Sequence, residues 1–164
     1  MGGKYPPNWA GKNERIGDCS SLNGSYKNVG DSAENPHSWP MLSVFFQFPY
    51  SDWKRTSELR ISVKGNSNVN ATIWDENEVQ IPGNSKLVYT CSSGKLVWEG
   101  DDSEFSEGRG KDNPLFGVQK RKIEISKGTD GALYVLNEES GGGLVYMFLP
   151  LVYSASSWTK FDSK

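Results

Sequence analysis

The chain has 164 residues, enough for one domain with a real core, and its 18 Lys and Arg against 20 Asp and Glu leave a net charge of -2. That balance holds no basic patch of the kind that binds nucleic acid, no apolar run of about 18 residues that crosses a membrane as a helix, and no apolar signal segment at the start. Apolar residues make up 35% and aromatics 12%, with 18 Gly, a balance of few large core side chains and many tight turns that suits a β domain.

From Gly2 to Asp18 the chain has no periodicity. Tyr5-Pro6-Pro7-Asn8-Trp9 reads as an extended lead-in, so residues 1–18 are assigned as an arm or linker and 19–164 as a single β domain. Gly2 is no myristoylation site, because Pro6 stands where Ser or Thr is needed. Cys19 and Cys91 are the only cysteines. They are either two separate thiols or one disulfide of an exported protein. The disulfide is favoured because Cys19 precedes a strand start and Cys91 ends a strand beside a turn. It would close a loop of about 73 residues, worth roughly 4 kcal/mol in the chain-entropy model.

Leu22, Gly24, Tyr26 and Asn28 share one face of a strand that ends at Gly30. Asp31 to Pro49 is ambiguous. Val44-Phe45-Phe46-Gln47-Phe48 has strand composition, but Ser38 before Pro40 offers a cap, and Leu42, Phe45 and Phe46 follow at helical spacing. One short helix is preferred, with Trp39, Phe45, Phe46 and Phe48 assigned to the core. Beyond it Leu59, Ile61 and Val63, then Val69, Ala71 and Ile73, alternate with polar residues between turns at Gly65–Asn68 and Asp75–Glu78. Lys86 to Glu99 is the strongest local signal. Two strand-forming runs flank Ser92-Ser93-Gly94, read as a three-residue hairpin turn with Gly94 left-handed. Turns every ten residues or so predict an antiparallel meander closed as a small barrel or a sandwich.

Residues 101–112 break this rhythm with Asp101, Asp102, Glu104, Glu107 and Asp112. Calcium takes such carboxylates, but the spacing matches no EF-hand, and a solvated loop is preferred. Gly117 to Lys127 is a strand with a basic exposed face, Ala132 to Asn137 another, and Gly143 to Val152 a third. This third run is apolar on both faces and is expected to be central or covered, with Pro150 marking a bulge or the end of pairing. Trp158 to Phe161 closes the chain as a short strand. The segment between the second and third, Glu139-Ser140-Gly141-Gly142-Gly143, reads as a flexible hairpin loop.

Catalytic motifs are missing. A Ser-His-Asp or Cys-His arrangement would need His37, the one histidine, and there is no Gly-x-Ser-x-Gly elbow, phosphate loop or His-Glu-x-x-His. Two cysteines and one histidine do not supply a four-ligand zinc site. No enzyme activity, cofactor or metal is expected. Sequons occur at Asn23 and Asn70.

Three resemblances follow from these residues. Gly24-Ser25-Tyr26 is similar to the Gly-x-Trp opening strand of lipocalin-type barrels. Cys19-Ser20-Ser21-Leu22-Asn23-Gly24-Ser25-Tyr26, Tyr89-Thr90-Cys91-Ser92-Ser93-Gly94, Leu149-Pro150-Leu151 and Trp158-Thr159-Lys160-Phe161 together resemble a group of small bacterial cell-envelope lipoproteins of unassigned function. That resemblance implies a periplasmic or outer-membrane-anchored protein, attached only through a lipidated cysteine that this soluble fragment lacks along with its signal peptide. Tyr89-x-Cys91 and Ser140-Gly141 ahead of Tyr146 are similar to elements of periplasmic lysozyme inhibitors, which place a Ser-Gly loop in the lysozyme cleft, although order and spacing depart from theirs and Leu144 stands where a basic residue would be useful. The expectation is a monomeric, non-enzymatic binding or interaction module of the envelope. Its partner is an unknown protein or a small apolar ligand, and Ser140, Gly141 and Gly142 form the candidate binding loop. A lipocalin-like carrier of a small apolar ligand and a periplasmic inhibitor of a wall-degrading enzyme are the alternatives.

Overall fold

Alternating burial is what a two-layer β protein needs, and the computed structural model shows it in the residues it describes, 4–9, 19–65, 68–101, 115–145 and 149–164. After a 3-10 turn at Ser20–Leu22 come β1 (Gly24–Lys27), β2 (Asp31–Ser32), the one-turn helices α1 (Leu42–Phe45) and α2 (Tyr50–Trp53), β3 (Glu58–Lys64), β4 (Asn68–Trp74) and β5 (Gln80–Ile81). Then follow β6 (Thr90–Ser92), β7 (Lys95–Asp101), β8 (Leu115–Lys127), β9 (Leu133–Val145) and β10 (Leu149–Phe161). One sheet has the order β1-β3-β4-β5 and the other β2-β10-β9-β8-β7-β6, every pairing antiparallel. The fold is mainly β as expected, and of the two closures left open the sandwich fits, because the sheets do not close into a barrel.

The register explains the core. Tyr26, Leu59, Ile73 and Ile81 lie side by side across the smaller sheet, all nearly inaccessible. Cys91, Leu96, Ile125, Val135, Thr159 and Ser32 form one rung across the larger sheet. Residues of both rungs belong to one buried apolar cluster, with Leu22, Leu42, Phe46, Phe48 and Phe161 filling it. The Cys19–Cys91 disulfide, with Cα atoms 5.9 Å apart, ties the turn that leads into β1 to the edge strand β6 of the other sheet. It closes the long loop anticipated from the sequence and removes freedom chiefly from the unfolded chain.

Several local details differ from the sequence reading. The hairpin turn has two residues, because Ser92 pairs with Lys95 and both Ser93 (φ 52°) and Gly94 (φ 77°) are left-handed. That mirror-image turn matches the twist of the flanking strands. Two one-turn helices stand where one was expected, and α1 starts after Met41, which is extended at φ -114° and gives no side-chain cap. Trp39 therefore lies ahead of the helix and is 75% exposed instead of buried, while Phe46 and Phe48 are core and Phe45 packs at its margin. The apolar run from Gly143 to Val152 is not one strand. It is divided between β9 and β10, and Val152 is 87% exposed. Pro150 lies where β10 pairs with β9 alone, a position where a missing N–H costs the sheet nothing.

Both helices are held by one buried polar residue. Asn28 accepts from the Ser43 N–H at 2.8 Å and donates to the carbonyls of Trp53 and Thr56 at 3.2 and 3.1 Å, while its own carbonyl accepts from Leu42 N–H. Glu58 is a second buried polar group, 2% exposed. Hydrogen bonds from Arg60 hold its carboxyl below the usual range against the cost of burial, helped by Lys164 at 3.6 Å.

Three outcomes test this packing. Cys91→Ser is expected to cost about 2–5 kcal/mol in urea unfolding, the usual loss for a native disulfide in a small domain. Gly30→Ala is expected to cost about 1–3 kcal/mol, because a methyl there would run into the Phe161 ring and the Lys160 carbonyl. Since the folded-state pKa of Glu58 is depressed, its contribution is complete above the unfolded carboxylate pKa and disappears as pH falls through the lower folded value. Thermal stability of Glu58→Gln should therefore vary less than that of the parent between about pH 5 and pH 3.

Candidate functional site

The three C-terminal strands are each 13 residues long, against 7 for β3 and β4. Along the inward face of the larger sheet the apolar rung that contains Ile125 is followed by Trp98–Ile123–Asn137–Ser157 and then by Gly100–Arg121–Glu139–Ala155. Trp98 and Ile123 still belong to the core, whereas the next rung is polar, with Arg121 ion-paired to Glu139. The Trp98 indole lies over Gly100, so close that an added Cβ would sit 2.5 Å from the ring. The core thus ends partway along β7, β8 and β9.

By the strand alternation, the rungs Glu99–Lys122–Glu138–Ser156 and Asp101–Lys120–Ser140–Ser154 face outward. Together with the intervening rung Gly100–Arg121–Glu139–Ala155 they line a depression of about 600 Å³. Its wall carries charges of both signs and three serine hydroxyls. Lys122 lies 3.7 Å from Glu99 and 3.1 Å from Glu124, and the bond with Glu124 holds its ammonium above the ordinary lysine range.

The outward face also bears an aromatic cluster. Ala132, Tyr134 and Trp158 are buried there beneath Tyr5 and Trp9, so the described part of the N-terminal arm is packed against the sheet. Tyr5 meets Trp158 edge-on with centroids 5.1 Å apart and Tyr134 at 5.7 Å. The Tyr134 hydroxyl donates to Asp130 at 2.7 Å, and Lys160 lies 3.3 Å from the same carboxylate. Burial, then the bond to Asp130, raises the Tyr134 pKa. Burial pulls the Asp130 carboxyl upward, but the bonds from Tyr134, the Ala132 N–H and Lys160 outweigh it and hold the pKa below the usual value.

Placement of the sequence candidates is mixed. Ser140 lines the depression, but Ser140, Gly141 and Gly142 do not form a hairpin loop. They lie inside β9, paired on one side with Lys120, Gln119 and Val118 and on the other with Ser154, Tyr153 and Val152. Three glycines in succession misled the reading, since their neighbours supply the ladder whatever their own propensity. Residues 102–112 of the acidic loop, Tyr146 and the arm from 10 to 18 lie outside the described residues, and Asp101 ends β7. Among the described residues no group of three His, Cys, Asp or Glu is placed to hold a metal ion. His37 is exposed in a turn in which its N–H donates to Asn35. The Asn23 side chain accepts from the Val63 N–H at 2.6 Å, while Asn70 is exposed on β4.

Reasoning from the sequence missed the depression because Arg121, Lys122, Glu138 and Glu139 are unremarkable as single residues. The alternation over Lys120–Glu124 was the available signal, and it needed the β8–β9 register to become a site. Comparison with protein-family models, curated proteins and solved structures finds no match for this chain.

The Tyr134–Asp130 bond has a spectroscopic consequence. In an alkaline titration followed by tyrosinate absorbance, Asp130→Asn should bring the Tyr134 ionisation to lower pH, because it removes the charge that opposes a second anion.

Proposed function

We propose that the protein is a non-enzymatic binding module acting outside the cytoplasm, at the bacterial cell envelope, and that the depression on β7–β10 receives a polar partner. One observation carries this reading: two outward-facing rungs of a paired sheet present Glu99, Asp101, Lys120, Lys122, Glu138 and serine hydroxyls around one concavity. Side chains fixed on paired strands are already in place for recognition, which lowers the ordering cost of binding. Mixed charge with hydroxyls suits a protein surface or another polar partner. The compartment rests on the Cys19–Cys91 bridge, since disulfides persist in oxidising environments, and on the resemblance to envelope lipoproteins.

The carrier alternative needs an apolar cavity. Against it, the buried cluster is filled by aromatic and aliphatic side chains. The inhibitor alternative gains from the place of Ser140 in the depression and loses the projecting loop that the resemblance implied.

A photo-crosslinking amino acid at Ser140, compared with one at exposed Val79 beside β5, tests the binding reading in the periplasm of an expressing cell. A specific adduct is expected from position 140 only, and Lys120→Glu with Lys122→Glu should remove it. Equal labelling at the two positions, or an adduct indifferent to the charge reversals, would contradict the reading. Purified lysozyme added to the same protein separates the inhibitor alternative: undiminished wall hydrolysis sinks it.

A further inference from the structure

β10 is a long edge. From Leu149 to Ser157 its one strand partner among the described residues is β9, and the register with β9 is unbroken from Leu149 to Phe161. β2 pairs only at Thr159 and Lys160. Just beyond that, the Trp158 carbonyl accepts from the Ala33 N–H, and the Trp158 N–H donates to the Glu34 carboxylate at 3.1 Å, which closes the edge at that point. In an antiparallel strand the N–H and C=O of one residue point to the same side and alternate along the chain. Trp158 points away from β9, so Val152 and Ser154 do as well, and both are exposed. Pro150 shares that parity and has no N–H to offer.

Open stretches elsewhere among the described residues are shorter: β4 has one strand partner over Asn68–Thr72 and β8 over Leu115–Gln119, five residues each against nine in β10. β5 has two residues, β6 three, and β1 is bridged by the C-terminal residues through Tyr26–Ser163 and the Lys27–Asp162 hydrogen bond. Proteins normally protect an edge as long as that of β10 with charges, yet Leu149 to Thr159 contains none.

We propose that this edge pairs with the same edge of a second copy. A two-fold axis through the Tyr153 position sets Val152 of each copy opposite Ser154 of the other. Each pair exchanges both N–H···O bonds, and the register stops where Pro150 would need a donor. Self-pairing is favoured because an uncharged segment meets itself without like-charge repulsion, and the small Ser154 and Ala155 side chains permit close approach. The axis is perpendicular to the sheet, so both depressions lie on the same face of one continuous sheet. Ser154 belongs to both surfaces, whereas Val152 does not line the depression, so Val152→Lys tests the assembly apart from the binding reading.

Sedimentation velocity over a concentration series tests it with two variants. Val152→Lys puts a charge on the edge at a position 87% exposed, where no core contact is lost. Ser154→Pro removes the outward N–H and leaves the β9 ladder its bonds. The parent chain should dimerise by ~100 µM, and Val152→Lys should weaken the dimer at least about tenfold with an unchanged circular dichroism spectrum and melt. Ser154→Pro should do the same. If Ser154→Pro unfolds, Val152→Lys alone decides. A parent chain monomeric throughout, or a dimer that survives Val152→Lys, overturns the proposal. Monomeric protein that is captured by a foreign strand at this edge also overturns it.

Discussion

Leu59, Ile61 and Ile73 of the smaller sheet share one buried layer with Leu96, Ile123, Ile125 and Val135 of the larger, and the Cys19–Cys91 bridge joins the two sheets beside that layer. Neither sheet is stable alone, because each has one apolar face that must leave water. The contact also sets how far the sandwich extends. Strands of 7 residues in the smaller sheet cover only part of strands of 13 residues in the larger, and among the described side chains the buried apolar rungs reach as far as Trp98 and Ile123. The next rungs of the same strands carry charges and hydroxyls, and the ladder runs through them without a break.

Three buried polar groups among the described residues shape the sandwich. Asn28 supplies the bonds that two one-turn helices cannot make for themselves, and so fixes the crossover from β2 to β3. Glu58 is buried with Arg60 and Lys164 around it, which anchors the C-terminus beside β1 and covers that edge. Tyr89 is fully buried and donates to the Phe45 carbonyl, and burial pushes its ionisation well above the ordinary range. These groups make the packing specific, while most of the stabilisation comes from the apolar area.

Strand existence was legible wherever one face is apolar and the other polar, as in Leu59–Ile61–Val63 and Ile123–Ile125. The disulfide was legible because two cysteines flank strand ends. Most of what failed traces to long-range pairing. Ser140–Gly142 has loop composition and lies in a strand because β8 and β10 pair with it on both sides. Trp39 has core composition and is exposed because α1 begins after it, at Leu42. The apolar run to Val152 looked central or covered on both sides, but it is divided between β9 and the edge of β10. The depression is a property of register, which no single segment encodes.

Native-state hydrogen exchange along β8 and β9 is the direct test of a core that stops partway along continuous strands. Amides of Ile123, Ile125 and Val135 should exchange only through global unfolding, with the full denaturant slope. Those of Lys120 and Ser140, on the same strands, should exchange through a smaller opening with a lower free energy and a shallower slope. Equal free energies and slopes from Lys120 to Ile125 would contradict the division between a packed base and the polar rungs beside it.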